Sequence, residues 1–579
     1  MAALALQALT TLLVVRSAVA ASIAAPVLTS TVEKRAACAG NTADDRASWC
    51  DFSIDTDWQQ EVPDTGVTRE YWLELDEQTV SPDGFARPGM TVNGSIPGPT
   101  ITADWGDEIV VHIINNLSTN GTSIHWHGLK QNHTNANDGV VSITQCAQAP
   151  GDSFTYRFRA TQYGTTWYHS HFSLQAWDGI FGAIVINGPA TANYDVDVGP
   201  IIIADWFHES VYALQEQART GGPPPAQNGL INGTNVFGDD GAANQTGSRF
   251  ELTFEAGTSY RLRLINVAID SHFKFMIDNH TLTVIAMDLV PVEPFTVDVL
   301  SLGIAERYDV IVNADQSDVA SDFWMRFIPQ AACSNNDQAD NIRGIIHYGD
   351  STGTPTTSQY DFTDDCLDVD MSLLHPHVAK TVPTAHFYEE KEEVGLSPQA
   401  DGALLWTING SSLAVQWGDP TLLQVINNDT AFDTSQNVVR LDEANQWAYI
   451  IIETTLGVAH PIHLHGHDFF LLSQGDGAYD AATTPLVLDN PPRRDVAMLN
   501  GGGHLVLAWE TDNPGAWLIH CHIGWHTVNG LAFQFLERVS EIPAVLASDS
   551  IDANDVQQNC NDWNTYASDR GIVVDDSGV

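Results

Sequence analysis

Between His520 and Leu531 the chain reads His520-Cys521-His522-Ile523-Gly524-Trp525-His526-Thr527-Val528-Asn529-Gly530-Leu531. A thiol flanked on both sides by imidazoles, with a further imidazole five residues on, is a donor set for a soft transition metal. In an extended segment neighbouring side chains leave on opposite faces, so His520 and His522 share the face that Cys521 does not. One short segment can therefore serve two metal centres. Two His and one Cys with a weak axial partner is the blue-copper pattern. His460 is expected as the second His beside His526, and Leu531, ten residues after the cysteine, falls in the axial direction. A leucine offers no donor atom.

Four His-x-His pairs supply eight imidazoles: His125 and His127, His169 and His171, His463 and His465, His520 and His522. Alternate residues of a strand converge on one face, and imidazole suits copper, zinc and iron. His467, just past the third pair, reads as a supporting residue. His112, His133, His208, His272, His347, His375 and His386 carry no such pattern.

Strands must position these pairs, and the chain repeats a unit that would build them. Gly106 to Asn115, Gly257 to Asn266 and Gly418 to Asn427 share one spacing. Each holds an apolar run, in the third case Thr421-Leu422-Leu423-Gln424-Val425, expected as a strand entered from a glycine turn. An Asn-Gly pair precedes each run, at Asn93, Asn232 and Asn409. The first and third copies share more. Gly164-Thr165-Thr166-Trp167-Tyr168-His169-Ser170-His171 aligns without gaps on Gly515-Ala516-Trp517-Leu518-Ile519-His520-Cys521-His522, and His125-Trp126-His127-Gly128 on His463-Leu464-His465-Gly466. In that register Thr122 stands at the place of His460, Ser170 at Cys521 and Gln175 at His526. The paired imidazoles thus belong to a site shared by copies one and three, while the cysteine site belongs to copy three alone.

Short strands between Gly, Pro and Asn turns, with few amphipathic helices, predict an all-β chain of sandwiches. Segment boundaries are expected near Pro200 and Cys366, with Gly221-Gly222-Pro223-Pro224-Pro225 a loop inside the second copy. That copy has no His-x-His pair and reads as spacer and pocket wall.

At 579 residues several domains are expected. Asp and Glu number 73 against 24 Lys and Arg, a net charge of -49, which disfavours nucleic acid and anionic membranes as partners. Residues 1–21 read as a signal peptide, with Ala18-Val19-Ala20 as cleavage site, and 22–35 as a propeptide ending at Lys34-Arg35. Nine sequons, at Asn93, Asn116, Asn120, Asn132, Asn232, Asn244, Asn279, Asn409 and Asn428, fit a secreted glycoprotein. Seven cysteines leave one over if Cys521 binds metal. Six allow fifteen pairings, and proximity favours Cys38–Cys50 and Cys333–Cys366, leaving Cys146–Cys560 to tie the tail to the first unit.

Those four His motifs, in that order, resemble a multicopper oxidase, and more narrowly a laccase of the ascomycete type. Asn490-Pro491-Pro492-Arg493-Arg494-Asp495, Thr511-Asp512-Asn513-Pro514-Gly515-Ala516-Trp517 and the terminal Asp576-Ser577-Gly578-Val579 narrow it further. The resemblance implies three consecutive cupredoxin-like Greek-key β-sandwich domains, taken as 36–198, 199–366 and 367–579, and four coppers per chain. Type 1 copper would take His460, Cys521 and His526, with Leu531 axial and non-bonding. Type 2 copper would take His125 and His463. One type 3 copper would take His127, His169 and His522, and its partner His171, His465 and His520. Asp138 would supply protons near the cluster.

An absent axial ligand leaves Cu(II) less stabilised, which raises the reduction potential. The implied activity is one-electron oxidation of phenols and aromatic amines coupled to reduction of dioxygen to water, in a secreted enzyme without a membrane anchor. Electrons would enter at the edge of His526 and cross through Cys521 to His520 and His522. Trp525, Leu456 and Val458, which flank type 1 ligands, are expected in the pocket wall. Ser248 or Thr246 stands nearest the place of the family's substrate carboxylate, with Asp239 and Asp240 earlier, so that carboxylate is left unassigned, and the chain ends in Val579 where the family usually ends in a leucine, its tail expected to plug the channel to the cluster. Alternatives are a ferroxidase or ascorbate oxidase, or a blue-copper carrier with no oxidase activity. The natural substrate, whether pigment precursor, lignin fragment or defence phenol, is not written in the motifs.

Overall fold

Thr68–Val80 and Ser153–Arg159 alternate inward and outward residues along their length, and Glu108–Asn115, more fully buried, lies between them. In the computed structural model, which describes residues 40–572, Arg87–Val92 completes this sheet at the other edge. A second sheet, ordered Gly98–Asp104, Phe181–Asn187, Gly164–Ser170 and Ile124–His127, packs over it around Leu73, Ile109, Trp126 and Tyr168. The middle unit repeats the plan with sheets of six and five strands, and so does the third. In each unit the leading strand runs parallel to a later one: Thr68–Val80 with Glu108–Asn115, Val196–Trp206 with Ser259–Asn266, Tyr388–Pro398 with Trp447–Thr454.

The Asn-Gly turns mark equivalent positions in all three units. Asn93, Asn232 and Asn409 take the left-handed conformation, with φ of 50°, 47° and 50°, which asparagine tolerates and a tight hairpin requires. The backbone N–H of each donates to the leading strand, at Glu74, Ile202 and Glu393. The strand Val196–Trp206 runs across residue 198, and no strand occurs between Tyr348 and Tyr388.

One expected strand is a helix. Thr421–Ile426 forms a short helix entered from Pro420, and it packs against the long helix Ala553–Arg570. Thr421, Leu422, Leu423, Gln424 and Val425 are all buried, and a run this short and buried on every side carries no period to tell helix from strand. The strand that truly matches copies one and two is Trp447–Thr454, which follows Asn445 (φ 52°) with no glycine to announce it.

The helix Ala553–Arg570 went unread in the sequence, although Asp552 caps it through the N–H groups of Asn554 and Asp555 and Gly571 ends it in the left-handed region. Its Trp563 packs with Ala136, Val140 and Ile143 of the first unit and Leu422 and Leu518 of the third. The seam between first and third units is thus built like an interior, each buried aliphatic side chain contributing about 1.5–3 kcal/mol. The disulfide Cys146–Cys560 closes the same seam, and Cys333–Cys366 ties the connector to the middle unit. The expected Cys38 partner of Cys50, the signal peptide, the propeptide and the Val579 tail lie outside the described residues.

Candidate metal centres

Cys521 is the one free cysteine among the described residues, and it is buried. Its Sγ lies 3.7 Å from His460 Nδ1 and 3.5 Å from His526 Nδ1, and the two nitrogens are 3.2 Å apart. A point inside that triangle sits about 2 Å from each corner, the range of metal–nitrogen and metal–thiolate bonds. Local chain geometry sets the triangle. The strand Gly515–Cys521 carries the thiol, and the one-turn helix Gly524–Thr527 swings His526 back over it. The N–H of Cys521 donates to the carbonyl of Leu531, and that of Leu531 to the carbonyl of His526, so the loop closes on itself. Leu531 then walls the thiol together with Ile462, Ile519 and Phe533, all apolar.

Burial pushes the Cys521 thiol up and holds His460 down to about 3. Neutral nitrogen donors beside a thiol that does not ionise in apolar surroundings suit a cation that displaces the thiol proton. Trp406 lies over both imidazoles, its ring 4.2 Å from that of His526 and 4.8 Å from that of His460. No local pattern in the sequence points to it. His526 is 5% exposed where His460 and Cys521 are fully buried.

The eight paired imidazoles meet where the first and third units touch. Strand Ile124–His127 pairs with Gly164–Ser170 so that His125 faces His169, and His460–Leu464 pairs with Gly515–Cys521 so that His463 faces His520. Ile124 opposes Ser170 as Ile462 opposes Cys521, the register that the internal alignment demands. Three donor groups result: His125, His127 and His463; His127, His169 and His522; His171, His465 and His520. Each of the eight rings leaves at least one buried nitrogen without a hydrogen-bond partner. Unpaired buried polar groups are costly, and eight that converge fit metal ions that satisfy them.

In six of the rings the other nitrogen is held, whereas His171 and His522 leave both of theirs unpartnered. His125 Nδ1 donates to the Asp138 carbonyl, His463 Nδ1 to the Asp495 carbonyl, and His465 Nδ1 to Asp138 Oδ2, at 2.8, 2.8 and 2.9 Å. His127 Nε2 donates to Asp495 Oδ1 at 3.1 Å, which turns Nδ1 toward the cluster. Burial, then neighbouring imidazoles, keep His127, His171, His463 and His465 well below the usual histidine range. Asp138 sits in a turn docked on the third unit: Asn135 bonds both the carbonyl and the N–H of Ala516.

The place in the first unit equivalent to the cysteine site holds no metal donors. Thr122 and Ser170 instead donate their hydroxyls to Gln175 Oε1, at 2.6 and 2.7 Å, and Gln175 Nε2 donates to the Gly121 carbonyl. Three residues aligned on His460, Cys521 and His526 therefore meet in space as a closed hydrogen-bond network.

The expected pocket residues divide. Trp525 is 2% exposed and packs edge-on against Phe207, so it faces the core rather than a substrate. Leu456 is partly buried against the core, and Val458 is 42% exposed. Asp240 pairs with Arg249 and Arg343, and the Thr246 hydroxyl bonds the Asp83 carbonyl, so neither waits for a ligand. The acid that does border the cysteine site is Asp270. It is partly exposed, and its neighbour Ile269 accepts a hydrogen bond from the Gly524 N–H, at the start of the one-turn helix that carries His526. His467 lies outside the cluster, 3.1 Å from Glu537.

Profiles of the multicopper oxidase family match residues 74–191, 197–351 and 403–541. The chain is 48% identical over 576 residues to Laccase-2 of Botryotinia fuckeliana, covering 97% of each, and 43% identical to a laccase of Cryphonectria parasitica, covering 96% of this chain and 97% of that one. The crystal structure of a laccase from Botrytis aclada superposes with a TM-score of 0.88 at 49% identity, over 94% of this chain and all of that one. With three consecutive sandwiches, a cysteine-centred donor triangle in the last and an imidazole cluster shared with the first, the chain belongs to the multicopper oxidases, as a laccase of the ascomycete type.

Proposed function

We propose that the four coppers of this family divide as the donor groups do. Cys521 Sγ with the Nδ1 atoms of His460 and His526 holds the type 1 ion. The Nε2 atoms of His125 and His463 hold the type 2 ion. His127, His169 and His522 hold one type 3 ion, and His171, His465 and His520 the other. Bound there, copper supplies one-electron oxidation of phenols and aromatic amines at the cysteine site and reduction of dioxygen to water at the shared site. The unpartnered, converging nitrogens support this reading most directly.

The chain's own groups do the rest. Cys521 is bonded through the backbone to His520 and His522, and His520 Nδ1 donates to the Cys521 carbonyl at 2.9 Å, so the two sites are joined by a short covalent path and a hydrogen bond. Leu531, Ile462, Ile519 and Phe533 line the thiol with carbon, so they would offer no further donor atom to a copper held by Cys521. Asp270 is placed to accept the proton that a phenol releases on oxidation. Asp138 bonds His465 through Oδ2, and its buried Oδ1 lies 3.2 Å from His125 Nδ1 without a hydrogen bond, which sets a carboxylate against two rings of the cluster. Residues 1–21 would direct secretion; no helix among the described residues is long and apolar enough to cross a membrane.

Oxygen uptake by the copper-loaded protein with a one-electron phenol tests the reading. Four phenols oxidised per dioxygen, without peroxide, is the expected ratio. A blue protein with a loaded cluster but no uptake would be an electron carrier instead. His465→Ala should abolish uptake and keep the blue colour.

A further inference from the structure

We infer that Arg307, from the middle unit that supplies no imidazole, is a positioning residue of the shared cluster, acting through Asp495 on His127 and His463. Arg307 is fully buried, and its Nη1 and Nη2 donate to Asp495 Oδ1 and Oδ2 at 2.6 Å each. A planar fork on both oxygens fixes a carboxylate in position and in plane. That carboxylate takes the Nε2 hydrogen bond of His127, and the Asp495 backbone carbonyl takes the Nδ1 hydrogen bond of His463. Metal-ligating imidazoles depend on such partners for tautomer and orientation. Arg307 Nε also reaches the Thr165 carbonyl, on the strand that carries His169.

The chain makes room for this pair at a place where side chains are excluded. Gly128, which ends the His125-Trp126-His127-Gly128 motif, has φ +74°, and a Cβ there would lie 2.4 Å from Arg307 Nη2 and 2.5 Å from Asp495 Oδ2. Behind the pair, Asp288 of the middle unit accepts the Arg307 backbone N–H at 3.0 Å and lies 3.4 Å from its guanidinium. Asp288 also bridges to Arg494, 3.2 Å away, which is paired in turn with Glu306. All three units meet at one buried point: Gly128 from the first, Arg307 from the second, Asp495 from the third. The middle unit is thereby more than a spacer.

This inference rests on the ligand assignment proposed above, and the test separates the two. Four variants, Arg307→Lys, Asp495→Asn, the two combined and His169→Gln, are compared with the parent for copper per chain, copper affinity, blue absorbance and the type 2 electron paramagnetic resonance signal. Lysine keeps the charge but cannot grip both oxygens. Arg307→Lys should stay blue, since the cysteine triangle does not touch it, while affinity at the cluster falls about tenfold or more and the type 2 signal changes. The combined variant should be no worse than the worse single one, because both act along one chain of contacts. Full copper with an unchanged type 2 signal in Arg307→Lys, or additive losses, would overturn the role of Arg307. His169→Gln touches neither Arg307 nor Asp495; if it keeps a full cluster, the ligand assignment itself fails. Should Arg307→Lys not fold, Asp288→Asn replaces it, with a smaller loss expected in the same direction and an unchanged cluster counting against the inference.

Discussion

Leu531 puts carbon beside the Cys521 thiol, and under the proposed type 1 assignment the donor it withholds would raise the reduction potential. Leu531→Met places a thioether on the axial side, and an added donor stabilises the more highly charged oxidised ion. The reduction potential, read by titrating the blue band, should fall; a potential unchanged or higher would mean that the apolar wall and not the missing donor governs it. Asp270 belongs to the same scale. Burial, then the charge of Asp205, raises its carboxyl to about 8, so it becomes a proton acceptor as pH rises toward that value. Asp270→Asn should lower kcat/KM for a phenol about tenfold or more and leave an inorganic donor that releases no proton unaffected, with the difference growing toward pH 8. Equal losses for both donors would remove Asp270 from the proton path. The donor groups that converge in the fold were legible in the sequence because their spacing is local and repeated. Asp270, Trp406 and Asp495 were not, since each reaches its site from a distant segment, and spacing along the chain does not show what only packing brings close.

Elements hold these residues through a few close approaches. Gly139, with φ +79°, lets the Asp138 turn sit against strand Ile124–His127; a Cβ there would lie 1.8 Å from the Ile124 carbonyl. A backbone atom cannot yield as a side chain can. Gly139→Ala should therefore displace His125 and Asp138 together and deplete cluster copper while the blue site survives, as copper analysis and the blue band would show; a full complement of copper would mean that the turn adjusts. The equivalence of the first and third units was readable from two gapless blocks, which set Thr122, Ser170 and Gln175 against His460, Cys521 and His526, while the strand pairing and the hydrogen-bond network came only with the fold. The helix Thr421–Ile426 reads as a strand because five consecutive buried residues, polar Thr421 and Gln424 among them, show no period, and the strand Trp447–Thr454 escapes notice because its turn uses Asn445 instead of glycine.

Across the whole molecule, the seam between first and third units carries both the cluster and the Cys146–Cys560 bridge. Replacing both cysteines with serine should cost about 2–5 kcal/mol, seen as a lower Tm and earlier proteolysis of the helix Ala553–Arg570; an unshifted Tm would assign the seam's strength to packing alone. Metal-free protein should be acid-sensitive. Burial depresses His460 to about 3 and His520 to about 4, and His169, His522 and His526 well below the ordinary range. An unfolded chain binds protons on these rings as pH falls through about 6.5, whereas the folded chain does not, so stability is present above that value and lost below it, by about 1.4 kcal/mol per ring per pH unit. Calorimetry at pH 7.5 and 5.5 should show a clear drop in Tm; a flat profile would mean that the rings take up protons without unfolding. The interleaving of the cluster also sets a timetable. Its first four imidazoles end at His171 and its last four begin at His463, roughly 290 residues or about 15–60 s of ribosomal synthesis later. Throughout that interval a growing chain displays half of an oxygen-reducing centre, so this catalyst cannot be armed before translation is nearly over.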